Sequence, residues 1–283
     1  MGKTGLVIEG GAFRGVFTAG VLDVLMENNI YYDYVIGVSA GAGNALNYIT
    51  GQVGRTRNII KPRNHKENYF GVKQLVTTGK FLNLEKMFFE YPFKQFPYRF
   101  DRFYKNDTEI EIVATNCETG KAEYYGEKNN INKLLNMGMA SCSVPIICKP
   151  VKIGKYHYLD GSIADSIPLE RAMEQGCDKL VVIMTKDLNE KPTDYGKKRA
   201  AIDILYGNRY PKFHRALINR TKVYDREIEL LNRLEKEGRA LVVRPTISCI
   251  KKFEQDDRKI DEFYNNGRKV ADKNLVRFME FMS

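Results

Sequence analysis

Three short stretches of the chain carry residue types that acyl transfer would need. "VIGVSAGAGNA" (35–45) places Ser39 between Gly37 and Gly41. A serine on a sharp strand-to-helix turn is held out at the C-terminal end of its strand, and small flanking residues relieve the crowding of that turn. The Gly-x-Ser-x-Gly pattern is short enough to arise by chance, so its surroundings must decide. "EGGAFRG" (9–15) follows the apolar run Leu6, Val7, Ile8. Read as Gly10-x-Ala12-x-x-Gly15, it approximates a dinucleotide fingerprint, which also requires an acidic residue at the end of the second strand to bind ribose. That strand ends in "VIGVSAG", which has no carboxylate.

As an oxyanion loop the same stretch is coherent. The N–H groups of Gly10, Gly11 and Ala12 lack bulky side chains and can converge on a carbonyl oxygen as it becomes negative. The helix expected from about Gly15 adds its positive end. Arg14 could hold the loop or an anionic substrate, or be a surface side chain beside a tight turn. The third stretch, "YLDGSIADSIPL" (158–169), puts Asp160 at a strand end before a turn at Gly161. Strand-end Asp-Gly is usually a turn and nothing more. Beside the other two it supplies the missing component of a set made of nucleophile, oxyanion donors and base. A working pair needs about 2.6–3.2 Å between serine oxygen and carboxylate. A rival assignment is a triad in the chain order Ser39, Asp160, His214; the blander reading of His214 is a basic helix face.

The elements that must position these groups follow from periodicity. A buried strand at 6–8, a glycine-rich turn, and Phe17, Val21, Val24 and Leu25 at helical spacing give a strand-loop-helix unit. Tyr34 to Val38, the turn at Ser39 and a small-residue helix to about Thr50 repeat it, which favours a parallel sheet in an α/β fold. "TEIEIVATNCETGKAEYY" reads as strand, turn and strand. A helix capped by Asn129 or Asn130 stops before Pro145. A hairpin turns at Gly154, and "CDKLVVIMT" and "RALVVRPT" are further strands. From about Gln255 the tail is helical, with Ile260, Phe263, Tyr264, Gly267, Ala271, Leu275, Phe278 and Met282 on one face. Strands from both ends of the chain argue for a single domain over residues 1–283, with core motifs at about 5–185 and a helical part at about 196–283 packed on them.

Composition bounds the classes. With 43% hydrophobic and 28% charged residues the chain is an ordinary globular one, and no apolar run approaches the roughly 20 residues of a membrane span. Its start lacks the charged and apolar regions of a signal peptide. Cys117, Cys142, Cys148, Cys177 and Cys249 include no Cys-x-x-Cys pair, and His65, His157 and His214 are scattered, so neither a disulfide framework nor a metal site is indicated and a reducing, cytoplasmic setting is expected. The net charge of +10 suits a nucleic acid or an anionic membrane. No zinc-finger, RNP-like or basic-zipper module is present, so nucleic acid is not expected as a partner. The basic stretch 196–226, which includes Arg209, Lys212, Arg215, Arg220 and Lys222, and the aromatic segment 81–104 are candidates for docking at an anionic lipid surface, peripheral to the inner membrane.

The three motifs in this order resemble the patatin-like phospholipase family. "GLVIEGGAFRGVFTAGVLDVL" is similar to its oxyanion segment, "GVSAG" to its serine elbow, and "LDGS" to its Asp-Gly motif; "ASCSVPIICKPV" also looks like the segment before that aspartate. "FYNNGRKVADKN" is similar to a bacterial subgroup. The resemblance implies a three-layer α/β fold, with a central, mostly parallel sheet flanked by helices and a helical C-terminal extension. It implies a Ser39–Asp160 dyad acting through an acyl-enzyme on a phospholipid or other fatty acyl ester, oxyanion donors around Gly10, Gly11 and Ala12, and no metal or organic cofactor. Ala12 departs from the family, where many members have a third glycine. Alanine keeps the N–H and adds a methyl group, so it tests the local φ angle. A noncatalytic lipid- or protein-binding member of the fold is the rival of a different class.

Overall fold

A computed structural model describes residues 2–61, 68–187 and 190–282; His65 lies outside them. The strands are β1 (Lys3–Ile8), β2 (Tyr34–Val38), β3 (Glu109–Asn116), β4 (Ala122–Tyr125), β5 (Val151–Ile153), β6 (Tyr156–Asp160), β7 (Cys177–Ile183) and β8 (Ala240–Val243). Between them run α1 (Gly15–Glu27), α2 (Ala40–Ile49), α3 (Arg55–Ile60), α4 (Val72–Thr78), α5 (Phe100–Lys105), α6 (Ile131–Ser141), α7 (Leu169–Glu174), α8 (Arg199–Ile202) and α9 (Pro211–Lys236); α10 (Asp257–Lys273) and α11 (Leu275–Glu280) follow β8.

The strands form one mixed sheet whose pairing runs β5-β6-β3-β2-β1-β7-β8, with β4 also against β3. β3, β2, β1, β7 and β8 are mutually parallel, and β4, β5 and β6 make the antiparallel end. The central strands are apolar at nearly every position because both faces are covered. Successive side chains alternate between faces: Leu6, Ile8, Val35, Val181 and Ile183 join one buried cluster, whereas Val7, Ile36, Val38, Leu180 and Val182 join another. The first cluster contains residues of α1, α2, α6 and α10, the second residues of α7 and α9. The C-terminal part of the chain therefore supplies a sheet strand and a helix to each face. At the crossing of α1 and α10 a Cβ on Gly20 would lie 2.2 Å from the Tyr264 carbonyl oxygen, so only glycine lets the helices approach this closely.

The tail differs from the single amphipathic helix that its periodicity predicts. It breaks at Asn274, which ends α10 and precedes α11, and Met282 is 40% exposed rather than packed. The apolar spacing persists through the break because Phe278 still reaches the core.

Candidate active site

Ser39 sits where β2 stops. Its backbone has φ 55° and ψ −124°, a conformation that L-residues avoid, and α2 begins at the next residue. The flanking glycines permit this turn: a Cβ on Gly37 would lie 2.4 Å from the Gly41 carbonyl oxygen, and one on Gly41 would lie 2.4 Å from that of Ile8. The Ser39 amide donates to Ser141 Oγ at 2.7 Å, tying the turn to the end of α6.

The sheet register delivers Asp160 to the same point. Ile112 and Val113 pair with both β2 and β4, and Ala114 and Thr115 pair with both β4 and β6. β4 therefore occupies one edge of β3, while β2 and β6 share the other in succession. β2 ends with Val38 opposite Val113, and β6 ends with Asp160 opposite Ala114. Ser39 leaves the sheet where Asp160 arrives, and Ser39 Oγ donates to Asp160 Oδ2 at 2.9 Å. The other carboxylate oxygen accepts from the Ser162 amide at 2.9 Å. Asp160 is 5% exposed and Ser39 7%. Burial, reinforced by the Asp160 charge, pushes the nearby Cys142 thiol well up.

The loop at 10–12 lies against this pair. A Cβ on Gly10 would come within 2.8 Å of Ser39 Cβ. Among the described residues, the amides of Gly10, Gly11 and Ala12 find no acceptor, whereas the Glu9 and Phe13 amides are bonded to Ile183 and Lys252 carbonyls at 3.1 Å each. Free N–H groups flanked by anchored ones are what an oxyanion binding loop requires. Ala12 has φ 52°, the conformation that a third glycine would adopt without strain. Thr185 Oγ1 donates to the Gly10 carbonyl at 2.7 Å. Gly15 opens α1 beside the start of α2, where a Cβ would lie 3.0 Å from that of Ala40.

Arg14 is no surface side chain. It is 8% exposed, donates from Nε to the Ile250 carbonyl at 2.7 Å and pairs through Nη1 with Glu190 at 2.5 Å. It straps the loop to the segment after β8. Behind the loop, Glu9 is enclosed with Lys186, and also accepts from the Thr185 amide at 2.7 Å and Tyr224 OH at 3.0 Å. Burial raises the Glu9 pKa, but the Lys186 ammonium and the Thr185 amide and hydroxyl outweigh it and hold the carboxyl below its usual range.

Two cavities meet at Ser39, Ala12, Val144 and Phe253. One, of about 90 Å³, is apolar and walled by Ile59, Leu82, Leu84, Met87, Phe88 and Tyr98 among others. The other, of about 260 Å³, contains Asp160 and is lined by Arg14, Lys186, Arg220 and Lys252.

Several expectations from the sequence are corrected. His214 contacts Asp203 and lines neither cavity, so the triad is not assembled. Arg220, read as part of an outer basic face, is 8% exposed and donates to Ser162 O at 2.7 Å and Ser162 Oγ at 2.9 Å, two residues past Asp160. Tyr206, Tyr210 and Phe213 of the same stretch are buried. In the aromatic segment, Phe88, Tyr91, Tyr98 and Phe103 are buried and only Phe93 and Tyr104 are more than half exposed; part of it is cavity wall. Lys186, Ser141 and Lys252 were not singled out by sequence reasoning. Ser141 lies within the stretch "ASCSVPIICKPV", whereas local sequence holds no signal for Lys186 and Lys252, which reach the site through strand order and a backbone contact with a distant segment.

Residues 6–173 match the patatin-like phospholipase family, and residues 210–283 match a domain family of unknown function. The uncharacterized protein YjjU of Escherichia coli K12 is 33% identical over 190 residues, covering 65% of this chain and 52% of YjjU. Lysophospholipase NTE1 of Debaryomyces hansenii is 22% identical over 296 aligned residues, covering 98% of this chain but 18% of that protein. The chain thus spans about half the length of the first relative and a smaller share of the second. The crystal structure of VipD from Legionella pneumophila superposes with a TM-score of 0.56 at 12% identity, over 98% of this chain and 67% of VipD, which shows a shared fold.

Proposed function

Because this chain belongs to the patatin-like phospholipase family, we propose that it is a serine lipid acyl hydrolase of the phospholipase A or lysophospholipase type, with Ser39 as nucleophile and Asp160 as its base. The observation that carries the reading is the 2.9 Å contact between Ser39 Oγ and Asp160 Oδ2 on a strained strand-to-helix turn. As Oγ attacks the ester carbonyl carbon, its proton passes to Asp160 Oδ2. The carbonyl oxygen becomes an oxyanion beside the amides of Gly10, Gly11 and Ala12 and the N-terminus of α1. Collapse breaks the bond to the alcohol, which leaves with the proton held by Asp160. Water then gives a proton to Asp160 and attacks the acyl-enzyme; collapse frees the fatty acid and returns the proton to Ser39. Every step uses groups of this chain and water.

The apolar cavity supports a fatty acyl substrate, since each methylene it removes from water contributes about 0.8 kcal/mol. Arg55 closes part of its wall without offering a free charge: its guanidinium donates to the Phe96 carbonyl at 2.9 and 2.7 Å and to Asn47 Oδ1 at 2.7 Å, and lies 3.7 Å from the Tyr98 ring centre.

We further propose that the chain works as one unit in a reducing, cytoplasmic setting, touching the inner membrane surface peripherally. Exposed Ile146 and Ile147 at the rim of the second cavity, with exposed Ile204 and Leu205 close by, support such contact better than the buried aromatics do. No helix among the described residues is long and apolar enough to cross a membrane. The test is a panel of carboxylic esters and phospholipids with wild type and Ser39→Ala, reading released fatty acid and lysolipid. Ester turnover that survives in Ser39→Ala would remove Ser39 from the mechanism.

A further inference from the structure

The second cavity holds more positive charge than ester hydrolysis needs. Arg14, Lys186, Lys198, Arg220 and Lys252 line it, opposed on its walls, among the described residues, only by Glu9 and Asp160. Two of the five cations are already matched, Lys186 by Glu9 and Arg14 by Glu190. Arg220 and Lys252 have no carboxylate partner among the described residues. Arg220 spends Nε and Nη2 on Ser162, and its Nη1 has only the Thr193 carbonyl at 3.5 Å. The Lys252 ammonium contacts the Thr193 hydroxyl. The Lys252 backbone carbonyl accepts from the Phe13 amide at 3.1 Å, so this lysine is fixed to the residue that follows the oxyanion loop.

The crowding has an electrostatic cost. Burial, then the charges of Arg220, Lys186 and Arg14, push the Lys252 ammonium down to about 8. An anion entering the cavity would offset that repulsion and restore the proton. The site's polarity also gives the substrate a direction. An acyl chain in the apolar cavity places its ester carbonyl at Ser39, so the alcohol side of the ester enters the cationic cavity.

We propose that this cavity binds the phosphate-bearing, anionic head group of an acyl ester, with Lys252 and Arg220 as the cations that select it. The assignment rests on Ser39 being the nucleophile of a lipid hydrolase. It makes the segment after β8, and α9 with it, part of substrate recognition rather than only a packed extension. A quaternary ammonium head group would bring a further cation among unmatched ones, so zwitterionic lipids are poorer substrates than anionic lipids of equal acyl chain.

Three esters with one oleoyl chain test this in neutral detergent micelles at pH 7: lysophosphatidic acid, lysophosphatidylcholine and monooleoylglycerol. For wild type, kcat/KM for lysophosphatidic acid should exceed that for monooleoylglycerol at least tenfold. Lys252→Met should cut that ratio about tenfold, mainly through KM, whereas Lys273→Met, which removes an equal charge from exposed α10, should leave the ratio at its wild-type value. The wild-type preference should weaken above pH 8 as Lys252 loses its proton. A wild-type ratio near one, or equal losses on both substrates in Lys252→Met, would overturn the head-group assignment. Inorganic phosphate should compete with lysophosphatidic acid; phosphate that accelerates monooleoylglycerol hydrolysis without competing would make this a free-anion site and also overturn it. Titration calorimetry separates the pocket from the chemistry. Ser39→Ala should bind lysophosphatidic acid at least tenfold more tightly than the Ser39→Ala/Lys252→Met double variant, even if no ester is turned over. Equal affinities would refute the pocket, whereas turnover retained by Ser39→Ala would refute only the nucleophile.

Discussion

Ser39 Oγ and Asp160 Oδ2 lie 2.9 Å apart although 121 residues separate them in the chain. The contact follows from two strands using one edge of β3 in turn: β2 vacates it after Val38, opposite Val113, and β6 reaches it with Asp160, opposite Ala114. Gly161 then turns away over the Val113 carbonyl, where a Cβ would lie within 2.2 Å of the oxygen.

Asp160→Asn tests what that contact does. The amide oxygen can keep the bond from the Ser162 amide, but the amide nitrogen offers Ser39 a donor where a base is needed. kcat should fall by roughly 10²–10⁴-fold, with a melting temperature near that of wild type. Steady-state hydrolysis of a soluble acyl ester beside thermal unfolding checks both. Activity within a few fold of wild type would sink the dyad.

His214→Ala should retain activity within about threefold, because the imidazole meets Asp203 away from both cavities and its side chain is 17% exposed. The same ester assay, with Asp160→Asn alongside, decides between dyad and triad.

The central sheet was legible because β1, β2 and β7 are covered on both faces and their sequences say so, with Leu6-Val7-Ile8 and Val181-Val182-Ile183 unbroken by polar residues. Ser39, Asp160 and the loop at 10–12 were legible because each motif is local. Long-range placement was not. Arg220 lies in a run of basic residues that reads as one solvated face, yet its guanidinium is drawn inward to the carbonyl and hydroxyl of Ser162. The aromatics of 81–104 suggest an outer docking surface, but burying large rings is favourable wherever a wall is available, and Phe88 and Tyr98 found one. Lys252 reaches the site through its backbone bond to Phe13, which no local pattern encodes.

Ala12→Gly should stabilise the fold or leave it unchanged while preserving hydrolysis. The φ of 52° costs alanine about 1 kcal/mol, offset in part by the greater freedom of glycine in the unfolded chain. Ala12→Val should do the opposite, since a β-branched residue resists positive φ more strongly. Urea denaturation of the three proteins gives the ranking; a valine variant as stable as wild type would remove backbone strain from the account of this loop.

The enclosed pair of Glu9 and Lys186 gives a sharper energetic test. Lys186→Met leaves the Glu9 carboxylate, 1% exposed, with neutral donors only. Breaking one side of a buried pair costs about 3–5 kcal/mol. The double variant Glu9→Gln/Lys186→Met removes the stranded charge as well, and should recover part of that loss. Urea midpoints for wild type, single and double variants form the comparison, and a double variant less stable than Lys186→Met would contradict it.

Asp165 and Glu227 make a second buried cluster with the opposite pH signature. Asp165 accepts from Tyr124 OH at 2.7 Å, and one Glu227 oxygen accepts from the Ser166 amide at 2.9 Å. The other Glu227 oxygen is buried without a hydrogen-bond partner among the described residues, and the Asp165 charge bears on its carboxyl. Burial raises Asp165 to about 6, and burial with the Asp165 charge raises Glu227 well above the usual carboxylate range. The native state therefore holds protons that the unfolded chain releases from about pH 4 upward. Where the folded state binds more protons, stability falls as pH rises. Between pH 4 and 6 Asp165 alone should lower stability by about 1–3 kcal/mol, and Glu227 should extend the decline to higher pH; Asp23, raised to about 6 mainly by burial, adds to it. Glu227→Gln removes the titrating carboxyl while keeping a side-chain oxygen that can accept from the Ser166 amide. It should be more stable than wild type at pH 7.5 and flatten the decline, whereas the two proteins should converge near pH 4. Urea unfolding at pH 4.5, 6 and 7.5 checks this, and a Glu227→Gln profile parallel to that of wild type would show that Glu227 holds no proton beyond the usual carboxylate range.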